Sequence, residues 1–291
     1  LEYSWEPGHE DLDSTADATQ VGWDSGWYPS HGNGVIGVVM AGDNGFGVRG
    51  MAPGVQLVIG SPFVEPFEES YNVAAAIDDL AAVLDEGDVL LIEQQFWAFD
   101  NYAPVEISSA VFDAISMAVA KGIVVVEPTG NGAHDLDAEY WGGWFDREVR
   151  DGGAIMVGGG ASPMSGLVPR SWYPGGSSYG KRLDVQGWFD SIATTSTDEN
   201  GSSGADLFLP GGDSSQAYTS FFGGTSGASP QISSVAALAN SVAWAVWGRP
   251  WDPMDLRAAM VRTGTPQPPA DLERIGPQPD LRQLLRTWGV R

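Results

Sequence analysis

The chain has 291 residues, 43% of them apolar, with 12 Trp, 11 Phe and 8 Tyr, enough to bury a sizeable core and to exclude wholesale disorder. Its 14 Lys and Arg stand against 38 Asp and Glu, a formal net charge of −24 that works against binding a phosphate backbone or an anionic membrane. The absence of cysteine removes disulfides, zinc-thiolate sites and cysteine nucleophiles together, and 39 Gly with 19 Pro are too many for a helical bundle.

In chain order, the apolar runs 55–59, 89–92, 123–126 and 154–157 read as buried parallel strands. Between them, 71–84 and 107–120 have helical spacing, and each is closed by a glycine, Gly87 or Gly122. Strand and helix alternate, so the expected fold class is α/β, a parallel sheet with helices on both faces, in one domain. Chemistry in such sheets gathers at the carboxyl ends of the strands. From 162 to 220 the chain turns to Gly/Ser/Pro-rich loops with short strands at 182–185 and 191–195. Helices are expected at 229–247 and 253–262, and a Pro-rich tail, 265–279, is expected to wrap the surface before a final turn at 280–286.

Gly32-Asn33-Gly34-Val35-Ile36-Gly37 spells a dinucleotide fingerprint, but no strand precedes it and no carboxylate stands near Gln56, so the match carries nothing. The same glycines form a small-residue helix, 32–41, directly after His31. Ser226, in Gly224-Thr225-Ser226-Gly227-Ala228-Ser229-Pro230, stands at a loop-to-helix junction, where the local positive potential favours an attacking hydroxyl. Asn131, in Pro128-Thr129-Gly130-Asn131-Gly132, follows an apolar strand and can present its amide to a developing oxyanion.

Together these segments resemble the subtilase, or subtilisin-like, serine peptidases, in the family's order: His31-Gly32-x-Gly34-Val35-x-Gly37 with Gly47-Val48-x-Gly50-Met51-Ala52-Pro53, then Gly130-Asn131, then Gly224-Thr225-Ser226-x-Ala228-x-Pro230. Weaker landmarks, His9-Glu10-Asp11-Leu12 and Ser178-Tyr179-Gly180 with Leu183-Asp184, extend the likeness over nearly the whole chain. The resemblance implies a three-layer subtilisin-like architecture and an endopeptidase with His31 as general base, Ser226 as nucleophile and Asn131 as oxyanion donor. It also implies a protein or peptide substrate, bound by Glu93, Gln94, Gln95, Pro128, Thr129, Gly130 and Thr225. The substrate is expected to add as an extra strand near Gln95 and Gly130. A secreted, monomeric, bacterial-type enzyme is expected.

Several departures qualify that picture. Family members carry a triad Asp on a central strand some thirty residues before the His, which by count falls just before Leu1, so an N-terminally truncated chain is expected. Glu2, near that place, is a conceivable substitute, but the upstream Asp is the favoured reading because the longer Glu stem shifts the carboxylate from the orienting position. Glu93-Gln94-Gln95-Phe96-Trp97 replaces a usual small-residue edge and should reshape the pocket beside the scissile bond; Phe96 and Trp97 are either pocket wall or core. Glu93 and Glu127 each end an apolar strand and could share a proton or an ion, although separate loop or Arg partners are the favoured reading. Asp135, Asp137 and Glu139 could hold a structural calcium, with a solvated acidic loop favoured; no other cofactor is expected. His9 and His134 read as structural, and Asn200-Gly201-Ser202 fits a glycosylation sequon. Rival readings are an inert subtilase-like peptide-binding domain and an acidic ion-binding surface protein. An α/β-hydrolase esterase is disfavoured by Ala228, where that motif needs glycine.

Overall fold

A computed structural model describes residues 1–64, 70–197 and 213–290. The sequon at Asn200 lies outside the described residues. In chain order the elements are β1 (Thr19–Val21), α1 (Pro29–Met40), β2 (Val58–Gly60), α2 (Val73–Val83), β3 (Val89–Leu91), β4 (Gln95–Ala98), β5 (Asn101–Pro104), α3 (Ser109–Ala120), β6 (Val124–Pro128), β7 (Ile155–Gly160), β8 (Val185–Trp188), β9 (Ile192–Thr195), β10 (Tyr218–Phe222), α4 (Thr225–Trp247), α5 (Pro253–Thr263) and α6 (Leu281–Thr287).

Four parallel strands in the order β3-β6-β7-β8 form the main sheet. Side chains of successive strand residues point to opposite faces, and the segment 123–126 uses both. Ile123 and Val125 pack on one face with Ile77 and Leu80 of α2 and Val111 and Ile115 of α3. Val124 and Val126 pack on the other with Ile232 and Ala236 of α4 and Met260 of α5. Burial of both faces is why this strand reads as an unbroken apolar run, and the expected three layers follow from it.

Beside β3, the first two residues act as a short strand. The Leu1 nitrogen donates to Leu91 O at 2.6 Å, Glu93 N donates to Leu1 O at 3.0 Å, and Glu2 N donates to Gly60 O at 2.9 Å. Leu1 and Glu2 thereby stitch β2, which pairs in parallel with β1, to the main sheet. Glu2 consequently stands level with Glu93, at the sheet's carboxyl rim.

Some boundaries differ from the sequence reading. Helix α1 begins at Pro29, after Tyr28 takes a left-handed φ of 55°, so His31 lies inside the first turn rather than before the helix. Helix α4 begins at Thr225, which puts Ser226 in its first turn and Pro230 within the helix. The chain after β3 folds back as the β4–β5 hairpin, and the edge of β4 that pairs Gln95 with Pro104 is thus taken by the chain itself. The strand expected at 182–185 lies at β8 instead, because Arg182 and Asp184 pair with each other in a buried ion cluster. The strand β10 begins inside the segment expected to be loop and pairs antiparallel with β9. Nor does the tail merely wrap the surface: Ile275 is completely buried.

Candidate active site

His31, Ser226 and Asn131, far apart in sequence, all line one cavity of about 610 Å³ at the carboxyl rim. Each is placed by a local feature. Asn33, two residues after His31, clamps the N-terminal segment to α1: its Oδ1 accepts from Glu6 N at 2.8 Å and its Nδ2 donates to Glu6 O at 3.2 Å. A Cβ on Gly32 would fall on the carbonyl oxygen of Ser4, so glycine is what lets that segment lie against the helix.

The segment carries Glu2, which is 3% exposed. Its Oε1 lies 2.7 Å from His31 Nδ1, and its Oε2 accepts from Tyr3 N at 3.0 Å. The carboxylate at His31 Nδ1 is that of Glu2. Burial works to lower the His31 pKa, but the charge and hydrogen bond of Glu2 outweigh it and hold the imidazole above its ordinary value. Tyr28 stacks on the ring at 5.6 Å, and Phe222 meets it edge-on at 5.7 Å. These contacts fix the ring plane.

Ser226 follows the N-cap Gly224, whose φ is 78°. In the first turn of α4, Thr225 N is taken by Asn131 and Gly227 N donates to Gly224 O at 3.0 Å, which leaves the Ser226 N–H as the one facing an anion. Asn131 sits opposite. Its Oδ1 accepts from Thr225 N at 2.8 Å and from Thr225 Oγ1 at 3.0 Å, which fixes the amide by its oxygen and leaves the NH₂ group to donate elsewhere.

Of the residues expected to bind substrate, Glu93, Gln94, Gln95, Pro128 and Thr225 line the cavity. Thr129 and Gly130 do not. Thr129 is completely buried, with its hydroxyl 3.3 Å from that of Ser177. The β4–β5 hairpin covers the segment around Gly130: a Cβ on Gly132 would fall on Tyr102 O. Gln95 bridges the cleft, its Oε1 accepting from Asn131 N at 2.9 Å. Gln94 accepts from the Tyr71 hydroxyl at 2.6 Å. Phe96 packs partly buried against the core, whereas Trp97 is exposed.

Glu93 is 4% exposed, and neither carboxyl oxygen has a partner at hydrogen-bond distance. Burial pushes its carboxyl well above the usual carboxylate range, the Glu2 charge adds to the rise, and the Ser226 hydroxyl opposes it. Glu93 does not pair with Glu127, which lies with Glu106 and Arg182 in the buried ion cluster. Asp135 and Asp137 are engaged by backbone amides, of Asp137 and Lys181 respectively. His9 bonds Ala217 O at 2.8 Å and accepts from Asp11 N at 3.2 Å, a bracing role. Sequence reasoning missed the aromatic wall of Tyr3, Trp27 and Tyr28 on the His31 side of the cavity, since lone aromatics far from any motif usually signal core.

A family model described as the subtilase family matches residues 5–277. No curated protein matches the chain in sequence. Among solved structures, fervidolysin from Fervidobacterium pennivorans, a keratinolytic enzyme related to subtilisin, aligns with a TM-score of 0.69 at 20% identity, over 98% of this chain and 41% of its own. The chain thus spans about two fifths of that protein. The patellamide maturation protease PatA aligns at 0.68 and 16% identity, over 100% of this chain and 96% of its own. The psychrophilic subtilisin-like protease Apa1 from the Antarctic psychrotroph Pseudoalteromonas sp. AS-11 aligns at 0.69 and 13% identity, over 98% and 92%. At these identities the likeness is one of fold.

Proposed function

The chain belongs to the subtilase family of serine proteases, and from that premise we propose that it is an endopeptidase whose triad is Ser226, His31 and Glu2. The observation that carries the reading is the convergence of Ser226, His31 and Asn131 on one cavity, with the buried Glu2 Oε1 held 2.7 Å from His31 Nδ1. Glu2 keeps the proton on Nδ1, so Nε2 has the lone pair needed to take the Ser226 hydroxyl proton as Oγ attacks a peptide carbonyl. The imidazolium that forms is stabilised by the adjacent carboxylate, then returns its proton to the leaving amine. As the carbonyl oxygen becomes negative, the Asn131 NH₂ and the first-turn N–H of Ser226 donate to it. Water repeats the sequence on the acyl-enzyme.

The substrate is a protein or peptide held in the cleft beside Glu93, Gln94 and Gln95, with the Gln95 side chain limiting the space near the oxyanion donors. The test is labelling with a fluorophosphonate probe together with hydrolysis of casein. Labelling that maps to Ser226, and loss of both signals in Ser226→Ala, is the expected result. A folded protein that neither labels nor hydrolyses would be the inert peptide-binding relative instead.

A further inference from the structure

The sole group of three or more His, Asp and Glu side chains that converges on one point among the described residues is Glu2, His31 and Glu93, whose ligand atoms all lie within 4.8 Å of one another; His31 and Glu93 line the cavity, and Glu2 is bonded to His31. We propose that these three side chains form a binding site for a first-row divalent transition cation, of which Zn²⁺ is the representative, and that its occupation switches the peptidase off.

Three observations carry the site. First, the donors come from three separately anchored pieces of chain: Glu2 from the segment clamped by Asn33, His31 from the first turn of α1, and Glu93 from the end of β3. Their positions are set by the fold rather than by one flexible loop. Second, Glu93 is 4% exposed, and both its oxygens lack a hydrogen-bond partner although one lies within 4.8 Å of the Glu2 and His31 donor atoms. A buried carboxyl left in that condition is costly unless something at the site repays it. Third, the donor set is selective. Two carboxylates neutralise a 2+ ion, the imidazole nitrogen disfavours Ca²⁺ and Mg²⁺, and three protein ligands with one direction open to the cavity are the arrangement in which Zn²⁺ keeps an exchangeable position. Entry is through the cavity itself, and the chain's charge of −24 draws cations toward it.

Binding displaces protons and no covalent bond changes: Glu93 and the imidazole coordinate as carboxylate and neutral ring, and any proton they held goes to solvent. The inhibitory consequence rests on the peptidase reading. A neutral imidazole has a single lone pair, so a ring that coordinates a cation cannot also take the Ser226 proton. Cation binding and acylation are then mutually exclusive, and a chelator restores activity.

The decisive experiment uses Ser226→Ala, which keeps all three ligands and cannot digest itself. Zn²⁺ is titrated by calorimetry in excess Mg²⁺, which occupies the acidic surface, and Co²⁺ is titrated by its visible absorption. One equivalent of bound metal per chain is expected, with affinity lowered by at least roughly a hundredfold in Ser226→Ala/Glu93→Gln, because losing a ligand costs more than losing a ligand's hydrogen-bond partner. Absence of one-site binding overturns the proposal. So does affinity unchanged by Glu93→Gln in a protein with unaltered circular dichroism and melting temperature; where that variant fails to fold, Ser226→Ala/His31→Ala replaces it with the same expectation. Stoichiometric binding in a wild-type chain that hydrolyses no peptide upholds the site and removes the peptidase reading. Hydrolysis that persists at saturating Zn²⁺ removes the switch.

Discussion

Glu2 Oε1 and His31 Nδ1 are 2.7 Å apart, with the second Glu2 oxygen held by the Tyr3 N–H at 3.0 Å. A glutamate reaches this position because its backbone is stitched between Gly60 and Leu91 through Leu1, at the sheet rim, while His31 is presented from the first turn of α1. The longer stem that argued against Glu2 is accommodated by the second hydrogen bond, which fixes the carboxylate's rotation as well as its reach.

Replacing Glu2 by Gln should lower kcat about 10⁴-fold at neutral pH while leaving the fold intact, the scale typical of a triad that loses its orienting carboxylate. The pH profile should also move. Glu2 is what holds the His31 pKa above its ordinary value against the effect of burial, and the acid limb of kcat/KM follows imidazole deprotonation. The wild-type limb is therefore expected above about pH 6.5 and the residual limb of Glu2→Gln at lower pH. A limb that stays in place after the substitution would show that the measured ionisation belongs to another group.

Asn131→Ala should reduce kcat by about 10²–10³ with a smaller effect on KM, the usual loss for one oxyanion donor. Thr225→Val removes the hydroxyl donor to Asn131 Oδ1 but keeps the backbone N–H, so a lesser loss is expected. Because both changes act on one amide, the double variant should be no worse than Asn131→Ala alone. Steady-state kinetics on the four proteins gives the coupling directly, and simple additivity would mean that Thr225 acts elsewhere.

Much of this arrangement is legible in the sequence, and the exceptions have physical causes. The sheet strand at 123–126 is recognisable because both its faces are covered, whereas β10 carries Thr219 and Ser220 among its aromatics and reads as loop. The β4–β5 turn has no glycine at its tip; Phe99 adopts a φ of 56° there, so the usual turn residue is missing. His31, Ser226 and Asn131 were recognisable because small residues flank each of them in motif order. The sequence offers Glu2 only as a less favoured candidate beside His31 and does not show that Glu93 adjoins both, since a carboxylate's reach across elements depends on strand register, which no local pattern encodes.

Gly32→Ala should abolish most activity at little cost to expression. The added methyl would fall on the Ser4 carbonyl oxygen, and relief requires the segment bearing Glu2 to move away from α1. A displacement of about 1 Å at a catalytic group costs on the order of 10²-fold in rate. The expected signature is a large fall in kcat with fluorophosphonate labelling slowed in parallel. Full activity in Gly32→Ala would show that the Ser4 segment yields without carrying Glu2 along.

Stability should depend on a different set of charges, those around Arg182, which is 1% exposed and bonds Glu106 Oε1 at 2.8 Å and Asp184 Oδ2 at 3.1 Å. Arg182→Met strands these carboxylates without their cation and should cost about 3–5 kcal/mol in urea unfolding. Glu127→Gln should behave oppositely. Burial, then the Glu106 charge, raise the Glu127 carboxyl well above the usual range despite Arg182, so the folded state holds its proton where the unfolded chain has released it. An acid with a raised folded pKa loses stability as pH climbs from its unfolded value toward its folded one. Glutamine removes that loss, so Glu127→Gln should be at least as stable as wild type at neutral pH, with the difference vanishing near pH 4. If Glu127→Gln instead destabilised the protein at neutral pH as strongly as Arg182→Met, the Glu127 carboxylate would have to be ionised and paired in the folded state.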